Sequence, residues 1–158
     1  MPNIRCTFSS HSFSLQFTAV KDIKAGEQLF YSYTRPDLSA KARQHKLAPY
    51  GIVCECYACA NATPESDRLH QELSQRIQRF QELSNEWLQG PANRLTEKTL
   101  EPLFELKGAI EKEGLETEDN YMLLLNVLHR VYSKMGFVAK AAKYRAGLDK
   151  IIALPRPE

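Results

Sequence analysis

The sequence predicts an α+β protein with two unlike parts, on three observations. Near the N-terminus, apolar residues alternate with polar ones, as in strands that bury one face. Beyond about residue 60, apolar residues recur every three or four positions, as on one face of a helix. All four cysteines and most aromatic residues precede that change. We therefore expect a β-rich domain over residues 1–60 and a helical bundle domain over residues 61–158.

The composition excludes several classes of protein. Of the 158 residues, 43% are hydrophobic and 25% are charged, so the chain can bury a core and is not disordered as a whole. Its 21 basic and 19 acidic residues give a net charge of +2, which carries no signal for nucleic-acid binding. It has neither the ~20 consecutive apolar residues of a membrane span nor a secretory signal. We expect a soluble intracellular protein, in the nucleus or cytoplasm, without a disulfide framework.

The β-rich part begins with a predicted antiparallel hairpin. Ile4, Cys6 and Phe8 lie at period two, as do the apolar residues of 13–19, and the polar loop 9–12 separates them. Further along, the pattern predicts a turn, a short strand and a helix, at residues 24–27, 28–33 and 39–47.

The helical part predicts four helices. The first has a single-faced apolar stripe formed by Leu69, Leu73, Ile77, Phe80, Leu83 and Trp87. Its expected N-cap is Ser66 or Asp67, and Gly90 with Pro91 is the expected stop.

The second helix is expected to run from Thr96 or Thr99 to Glu113. Pro102 favours the later start, because it would then lie in the first turn of the helix. Backbone N–H groups there have no intrahelical partner, so a proline, which has no N–H, loses no hydrogen bond.

The third and fourth helices form a predicted hairpin. The third follows residues 117–119 and ends at Gly136, and the fourth ends at Pro155. Ala141 and Ala142 are small enough to let the two helices approach closely. The pair resembles a single tetratricopeptide-type hairpin, through Leu128, Tyr132, Gly136 and Ala141.

The sharpest chemical motif is the C-x-C-x-x-C run of Cys54, Cys56 and Cys59. Three thiols so close in sequence converge readily on one ion, and Zn²⁺ suits a tetrahedral sulfur site. The C-x-x-C half lacks the strand-then-helix setting of a thioredoxin-like redox pair. The motif therefore predicts a zinc site. The spacing leaves the fourth ligand open among Cys6, His11 and His45.

An ordered series of segments resembles part of a known family. Residues 25–33 read Ala-Gly-Glu-Gln-Leu-Phe-Tyr-Ser-Tyr, residues 43–47 read Arg-Gln-His-Lys-Leu, and residues 50–51 read Tyr-Gly before the cysteine run. Together they resemble the C-terminal part of a SET domain with its post-SET zinc segment. The order and spacing are most similar to SET-and-MYND proteins and related fungal SET proteins, in which a helical domain also follows. The resemblance covers residues 1–60 closely and the helical remainder loosely.

The resemblance implies methyl transfer from S-adenosylmethionine to a lysine of a protein substrate, either histone or non-histone. Tyr33 matches the tyrosine beside the transferred methyl, which implies both a catalytic and a cofactor-binding role. Ile52 stands where the family often has an aromatic residue against the adenine, and an aliphatic side chain can also cover that ring. Cys54, Cys56 and Cys59 match the zinc ligands.

The sequence departs from the family pattern at its first residues. The family carries Asn-His-Ser-Cys-x-Pro-Asn before its final strands, whereas here Met1 takes the x position, followed by Pro2 and Asn3. In the resembling proteins, the cysteine of that motif is the fourth zinc ligand. Six extended residues span ~20 Å, so Cys6 is expected to be a mostly buried strand-face residue instead.

These departures give two functional hypotheses. In the first, the chain is the C-terminal piece of a SET-family methyltransferase and is inactive alone, because the N-terminal SET strands and their Gly-rich cofactor loop are missing. In the second, it is a non-catalytic zinc-binding module whose helical half binds a protein partner. In either case, Asn3 is expected to fix backbone and Glu27 to anchor a turn.

Overall fold

The computed structural model of the protein describes residues 2–116 and 119–152. In chain order the elements are β1 (Ile4–Ser9), β2 (Ser14–Ala19), α1 (Ala40–Leu47), α2 (Tyr57–Ala60), α3 (Pro64–Gln89), α4 (Glu97–Glu113), α5 (Asp119–Lys134) and α6 (Val138–Ile152). Single 3₁₀ turns cover Ala48–Tyr50 and Ala92–Arg94. The predicted α+β class is confirmed, and the described chain is mostly helical with one antiparallel hairpin.

The predicted antiparallel hairpin is confirmed, with its connecting loop at residues 10–13 rather than 9–12. Cys6 lies opposite Phe17 and Phe8 lies opposite Leu15, so these four side chains share one face of the sheet. The ring of Phe13, in the connecting loop, packs edge-on against Phe8 at a centroid distance of 5.4 Å. The distal end of this apolar face is exposed.

The strand predicted for residues 28–33 is wrong. The N–H groups of Asn3 and Ile4 both donate to the carbonyl oxygen of Phe30, at 2.9 and 3.1 Å. A strand ladder requires donors and acceptors that alternate along both chains, and two donors on one carbonyl cannot continue it. Residues 28–33 therefore run beside the hairpin without joining the sheet.

The predicted helix at residues 39–47 is confirmed as α1. Ser39 is its N-cap, and the Ser39 hydroxyl accepts a hydrogen bond from the N–H of Ala42 at 3.3 Å. Gly51 ends the following turn with a φ of +65°, a conformation that favours glycine. The chain is thereby turned into the cysteine segment.

Helix α3 begins earlier than the sequence predicts. Its N-cap is Thr63, whose hydroxyl accepts from the N–H of Ser66 at 3.1 Å, and Pro64 follows in the first turn. Ser66 and Asp67 are therefore inside the helix, because the Thr-Pro pair supplies both a cap and a preset φ. The predicted end is confirmed, since Gly90 is the C-cap.

Helix α4 takes the earlier of its two expected starts. Thr96 and Thr99 form a reciprocal capping box, which satisfies the free N–H groups at that end. Pro102 consequently lies within the helix rather than in its first turn.

The core of the bundle is formed by one face each of α3, α4 and α5. Its fully or nearly fully buried members include Leu69, Leu73, Ile77, Leu100, Leu103, Leu106, Ile110, Leu124, Leu128 and Val131. The apolar stripe predicted for the first helix thus faces this core at its N-terminal end, and Phe80 and Trp87 pack at the margin.

Helix α6 packs against α5, and the predicted close approach is only half right. Ala141 is buried, but Ala142 is exposed. Gly147 is the other close point, because a Cβ built there would lie 3.3 Å from Cδ1 of Leu125. Residues 117–118, which precede the third helix, and the expected end of the fourth helix at Pro155 lie outside the described residues.

Within residues 2–116 and 119–152, none of the helices combines the length and the apolar character needed to cross a membrane.

Side-chain contacts of Asp67 and His70 join the N-terminal part to the bundle. The carboxylate of Asp67 on α3 accepts a hydrogen bond from the N–H of Ala40 at 2.6 Å. The ring of His70, one turn further along α3, contacts the carbonyl oxygen of Pro36 through Nδ1. The start of α1 and the loop before it are therefore held against the first turns of α3.

Candidate metal centre and adjoining cleft

The three predicted zinc ligands come together in space. The Sγ atoms of Cys54, Cys56 and Cys59 all lie within 4.8 Å of one another, and each residue is half-buried. Cys56 is the N-cap residue of α2, and its carbonyl oxygen accepts from the N–H groups of Cys59 and Ala60 at 2.9 and 2.8 Å. This single helical turn folds Cys59 back towards the other two thiols.

The donor set fits a zinc ion. Zn–S bonds of ~2.3 Å in a tetrahedron put sulfur atoms about 3.8 Å apart, which a cluster of this size can adopt with small side-chain rotations. Soft thiolates select Zn²⁺ over hard cations such as Mg²⁺ or Ca²⁺. Three sulfurs leave one position of the tetrahedron to another ligand.

The other ligand candidates lie outside this cluster. Among the residues that the structure describes, only the three cysteines form such a group, so Cys6, His11 and His45 do not complete it. Cys6 is a strand-face residue, as expected, but it is half-buried rather than mostly buried. It lines a cleft of about 220 Å³ that Cys56 also borders.

The surroundings shift the pKa values of Cys54 and Cys56 in opposite directions. Burial and hydrogen bonds with the two neighbouring thiols raise the pKa of Cys56 to about 11. Burial also acts to raise the pKa of Cys54, but hydrogen bonds from Cys56 and Cys59 and the charge of Arg43 outweigh it and lower that pKa. The neighbouring hydrogen bonds, together with the positive charge of Arg43, therefore favour the thiolate form of Cys54.

Two consecutive residues of α1 hold the ends of the cysteine segment. The Gln44 side chain donates through Nε2 to the Cys54 carbonyl at 2.7 Å and accepts from the Cys54 N–H at 3.2 Å. The Arg43 guanidinium donates to Sγ of Cys59 at 3.5 Å and to the carbonyl of Ala58 at 3.2 Å. Neither residue is indicated as a site residue by the sequence pattern, although both belong to the Arg-Gln-His-Lys-Leu segment that carries the family resemblance.

Tyr33 and Ile52 line one cleft beside the cysteines. The cleft has a volume of about 480 Å³, and Cys54 and Cys56 form part of its wall. The rings of Tyr31 and Tyr33 lie 4.2 Å apart at 34°, and their hydrogen bond raises the pKa of Tyr31. Tyr33 is 63% exposed, so its side of the cleft is open to solvent.

Asn3 fixes the backbone that leads to the two tyrosines. Its side chain is buried, donates to the Gln28 carbonyl at 2.8 Å and accepts from the Phe30 N–H at 2.7 Å. Glu27 anchors the preceding turn, because its carboxylate accepts from the Lys24 N–H at 3.1 Å. This bond, followed by one from Asn3, lowers the pKa of Glu27. The structure therefore agrees with the expected backbone roles of Asn3 and Glu27.

A buried polar pair was missed by the sequence analysis. Nε2 of His70 lies 3.4 Å from the carboxylate of Glu113, and both side chains are nearly fully buried. The only signal in the sequence is that His70 directly follows Leu69 of the apolar stripe.

Comparison with known proteins relates part of the chain to histone-lysine methyltransferases. No family model matches the chain. It is 33% identical over 67 residues to "Histone-lysine N-methyltransferase SET5" of Meyerozyma guilliermondii, covering 42% of this chain and 14% of that protein. It is 29% identical over 105 residues to the protein of the same name from Candida albicans, covering 66% of this chain and 19% of that one.

Part of the chain is therefore similar in sequence to these fungal SET5 proteins. Each match spans less than a fifth of the length of the relative.

Proposed function

We propose that this chain forms the C-terminal part of a SET-type, S-adenosylmethionine-dependent protein-lysine methyltransferase. The observation that carries the proposal is the single cleft lined by Tyr33, Ile52, Cys54 and Cys56. The fungal relatives named as histone-lysine methyltransferases support a lysine-bearing protein substrate, such as a histone, and a nuclear or cytoplasmic location.

In this proposal, Tyr33 positions the reacting groups and Ile52 covers the adenine. When bound, S-adenosylmethionine would supply a sulfonium-activated methyl group for transfer to a neutral lysine amine. The Tyr33 hydroxyl would orient that amine towards the methyl group. Tyr31 supports that placement, because its ring packs on Tyr33.

Zn²⁺ has a structural role in the proposal. Cys54, Cys56 and Cys59 hold it, and a ligand from outside these three completes the tetrahedron. Ile52 is two residues before Cys54, so a fixed metal site limits how far the wall of the cleft can move. This is the post-SET role that the resemblance implies.

The chain alone is proposed to be inactive and not to bind the cofactor measurably. The exposure of Tyr33 supports this, since a cofactor at this wall has solvent on its other side. The division into a SET-related part at residues 1–60 and a tetratricopeptide-like helical domain at residues 61–158, which binds a protein partner, is part of the same proposal.

Calorimetric titration with S-adenosylmethionine tests the proposal. We expect no measurable heat of binding for the 158-residue chain. A chimera that places the preceding SET segment of the Candida albicans relative before Pro2 should bind the cofactor one to one. Micromolar binding by the chain alone would contradict the proposed incomplete site. A folded chimera that fails to bind would favour the alternative function, a non-catalytic zinc and helix interaction module.

A further inference from the structure

We propose that Arg43 and Gln44 are positioning residues for the metal, which hold the two ends of the cysteine segment so that its thiols already converge before the ion binds. This inference rests on the zinc site of the proposed function. It concerns residues that are not themselves ligands, and it assigns a role to two consecutive positions of α1.

Gln44 acts on the first ligand. Its amide group bonds both the carbonyl and the N–H of Cys54, as a neighbouring strand would. Both backbone polar groups of Cys54 are thereby satisfied by one side chain, which restricts the φ and ψ angles at this residue. The direction in which the Cys54 thiol leaves the backbone is thus set by α1.

Arg43 acts on the last ligand. Its guanidinium is buried and donates to Sγ of Cys59, to the Ala58 carbonyl and to the Leu38 carbonyl. A planar guanidinium offers five N–H donors in a fixed arrangement, so these three bonds fix α2 relative to the start of α1. A lysine side chain cannot make the same set of bonds.

The burial of Arg43 also points to an anionic partner. A buried cation is costly unless it is paired and hydrogen-bonded. Within the described residues Arg43 forms no ion pair with a carboxylate, but it donates a hydrogen bond to the Cys59 sulfur, which can carry a negative charge. Zn²⁺ with three thiolates has a net charge of −1, which the guanidinium offsets at the Cys59 end.

Groups that orient metal ligands from outside the coordination sphere commonly change metal affinity by ~10- to 100-fold when they are removed. We therefore expect Arg43→Met and Gln44→Ala to weaken zinc binding by about 10- to 100-fold each. Affinity is measured by competition with a chromogenic chelator, on the full 158-residue chain. Lys41→Met is the matched control, since Lys41 is an exposed cation on the same helix, and it should stay within about twofold of the unmodified chain.

Cobalt substitution separates positioning from a general loss of structure. Loss of the hydrogen bond to Cys59 makes that thiolate a stronger donor, so Arg43→Met should shift the sulfur-to-cobalt charge-transfer band to lower energy at full occupancy. Arg43→Lys keeps the charge without the planar donor set and should show intermediate affinity, which keeps the test valid if Arg43→Met does not fold. An unshifted band, or affinities of the Arg43 and Gln44 variants within twofold of Lys41→Met, would overturn the inference.

Cys56→Ser distinguishes this failure from failure of the zinc site itself. If Cys56→Ser retains full zinc content, the metal site is wrong and the inference falls with it. If Cys56→Ser loses zinc while the Arg43 and Gln44 variants bind like the control, the zinc site stands and only the positioning role is wrong.

Discussion

Asn3 and Phe30 are joined by two hydrogen bonds, one from the backbone and one from the side chain of Asn3. The Asn3 N–H donates to the Phe30 carbonyl at 2.9 Å, and Oδ1 of Asn3 accepts from the Phe30 N–H at 2.7 Å. The Asn3 side chain therefore accepts the hydrogen bond from the Phe30 N–H that a backbone carbonyl would accept in a sheet. The segment bearing Tyr31 and Tyr33 is held to the hairpin in this way.

Asn3→Ala should destabilise the protein by about 1–3 kcal/mol, because it removes two partly buried hydrogen bonds, to the Gln28 carbonyl and from the Phe30 N–H, each worth about 0.5–1.5 kcal/mol. Urea unfolding followed by circular dichroism measures the free energy of unfolding. Asn93→Ala, at an exposed position, is the control and should change it by less than about 0.5 kcal/mol. If Asn3→Ala and Asn93→Ala change the free energy of unfolding equally, the hydrogen bonds of the Asn3 side chain do not stabilise the protein.

Cys56→Ser should abolish stoichiometric zinc binding, whereas Cys6→Ser should leave it intact. Cys56 is a member of the sulfur cluster, and Cys6 lies outside it on the hairpin. Elemental analysis of the purified chains, after dialysis against metal-free buffer, gives the zinc content directly. Loss of zinc in Cys6→Ser would show that Cys6 is the fourth ligand.

Glu113→Leu should lower the free energy of unfolding by about 1–3 kcal/mol, because the buried Nε2 of His70 loses its partner. Glu105→Leu, on an exposed face of the same helix, is the control. The double variant His70→Leu with Glu113→Leu should be less destabilised than the sum of the two single changes, since the two residues interact directly. If the double variant loses as much free energy of unfolding as the two single variants together, the contact contributes no interaction energy.

Glu111→Gln should alter how stability depends on pH. Burial acts to raise the pKa of Glu111, but hydrogen bonds from Lys107 and Tyr121 outweigh it, so that the folded-state pKa lies below the ordinary value of 4.5. A lowered carboxyl pKa contributes stability that is present above pH 4.5 and is lost as the pH falls through the folded value. The partly exposed pair with Lys107 is screened by solvent, so we expect a difference below about 1 kcal/mol.

The measurement is thermal unfolding of Glu111→Gln and of the unmodified chain at pH 7 and near pH 2.5. The variant should be the less stable at pH 7, and the two should converge at the acidic pH. Glu101→Gln, which is exposed, should show no such convergence. If Glu111→Gln still unfolds at a lower temperature than the unmodified chain at low pH, the carboxylate charge is not the cause of the difference.

The sequence predicted those features that depend on residues close together in the chain. Alternation predicted the hairpin to which Cys6 and Phe17 belong, and the helical stripe from Leu69 onwards faces the core as expected. The cysteine run needed only one helical turn to converge. In each case the determining interactions lie within one or two neighbouring elements.

The features that the sequence did not predict depend on distant partners. Residues 28–33 look like a short strand in the sequence, but the side chain of Asn3 takes the place of a ladder partner. Gln44 forms hydrogen bonds with the backbone of Cys54, and His70 contacts Glu113. Both contacts join residues that only the folded chain brings together. The α3 start at Thr63 was missed for another reason, since Ser66 offered an equally good cap three residues later.

The most direct test of the proposed methyltransferase relationship is methyl transfer from radiolabelled S-adenosylmethionine to histones by the chimera described above. The unmodified chimera should transfer label, and Tyr33→Phe in the same chimera should reduce the rate by about 100-fold, because the tyrosine hydroxyl positions the reacting groups. Tyr50→Phe, which alters an exposed tyrosine outside the cleft, should leave the rate unchanged. Full activity of Tyr33→Phe, or no transfer by a chimera that binds the cofactor, would contradict the account.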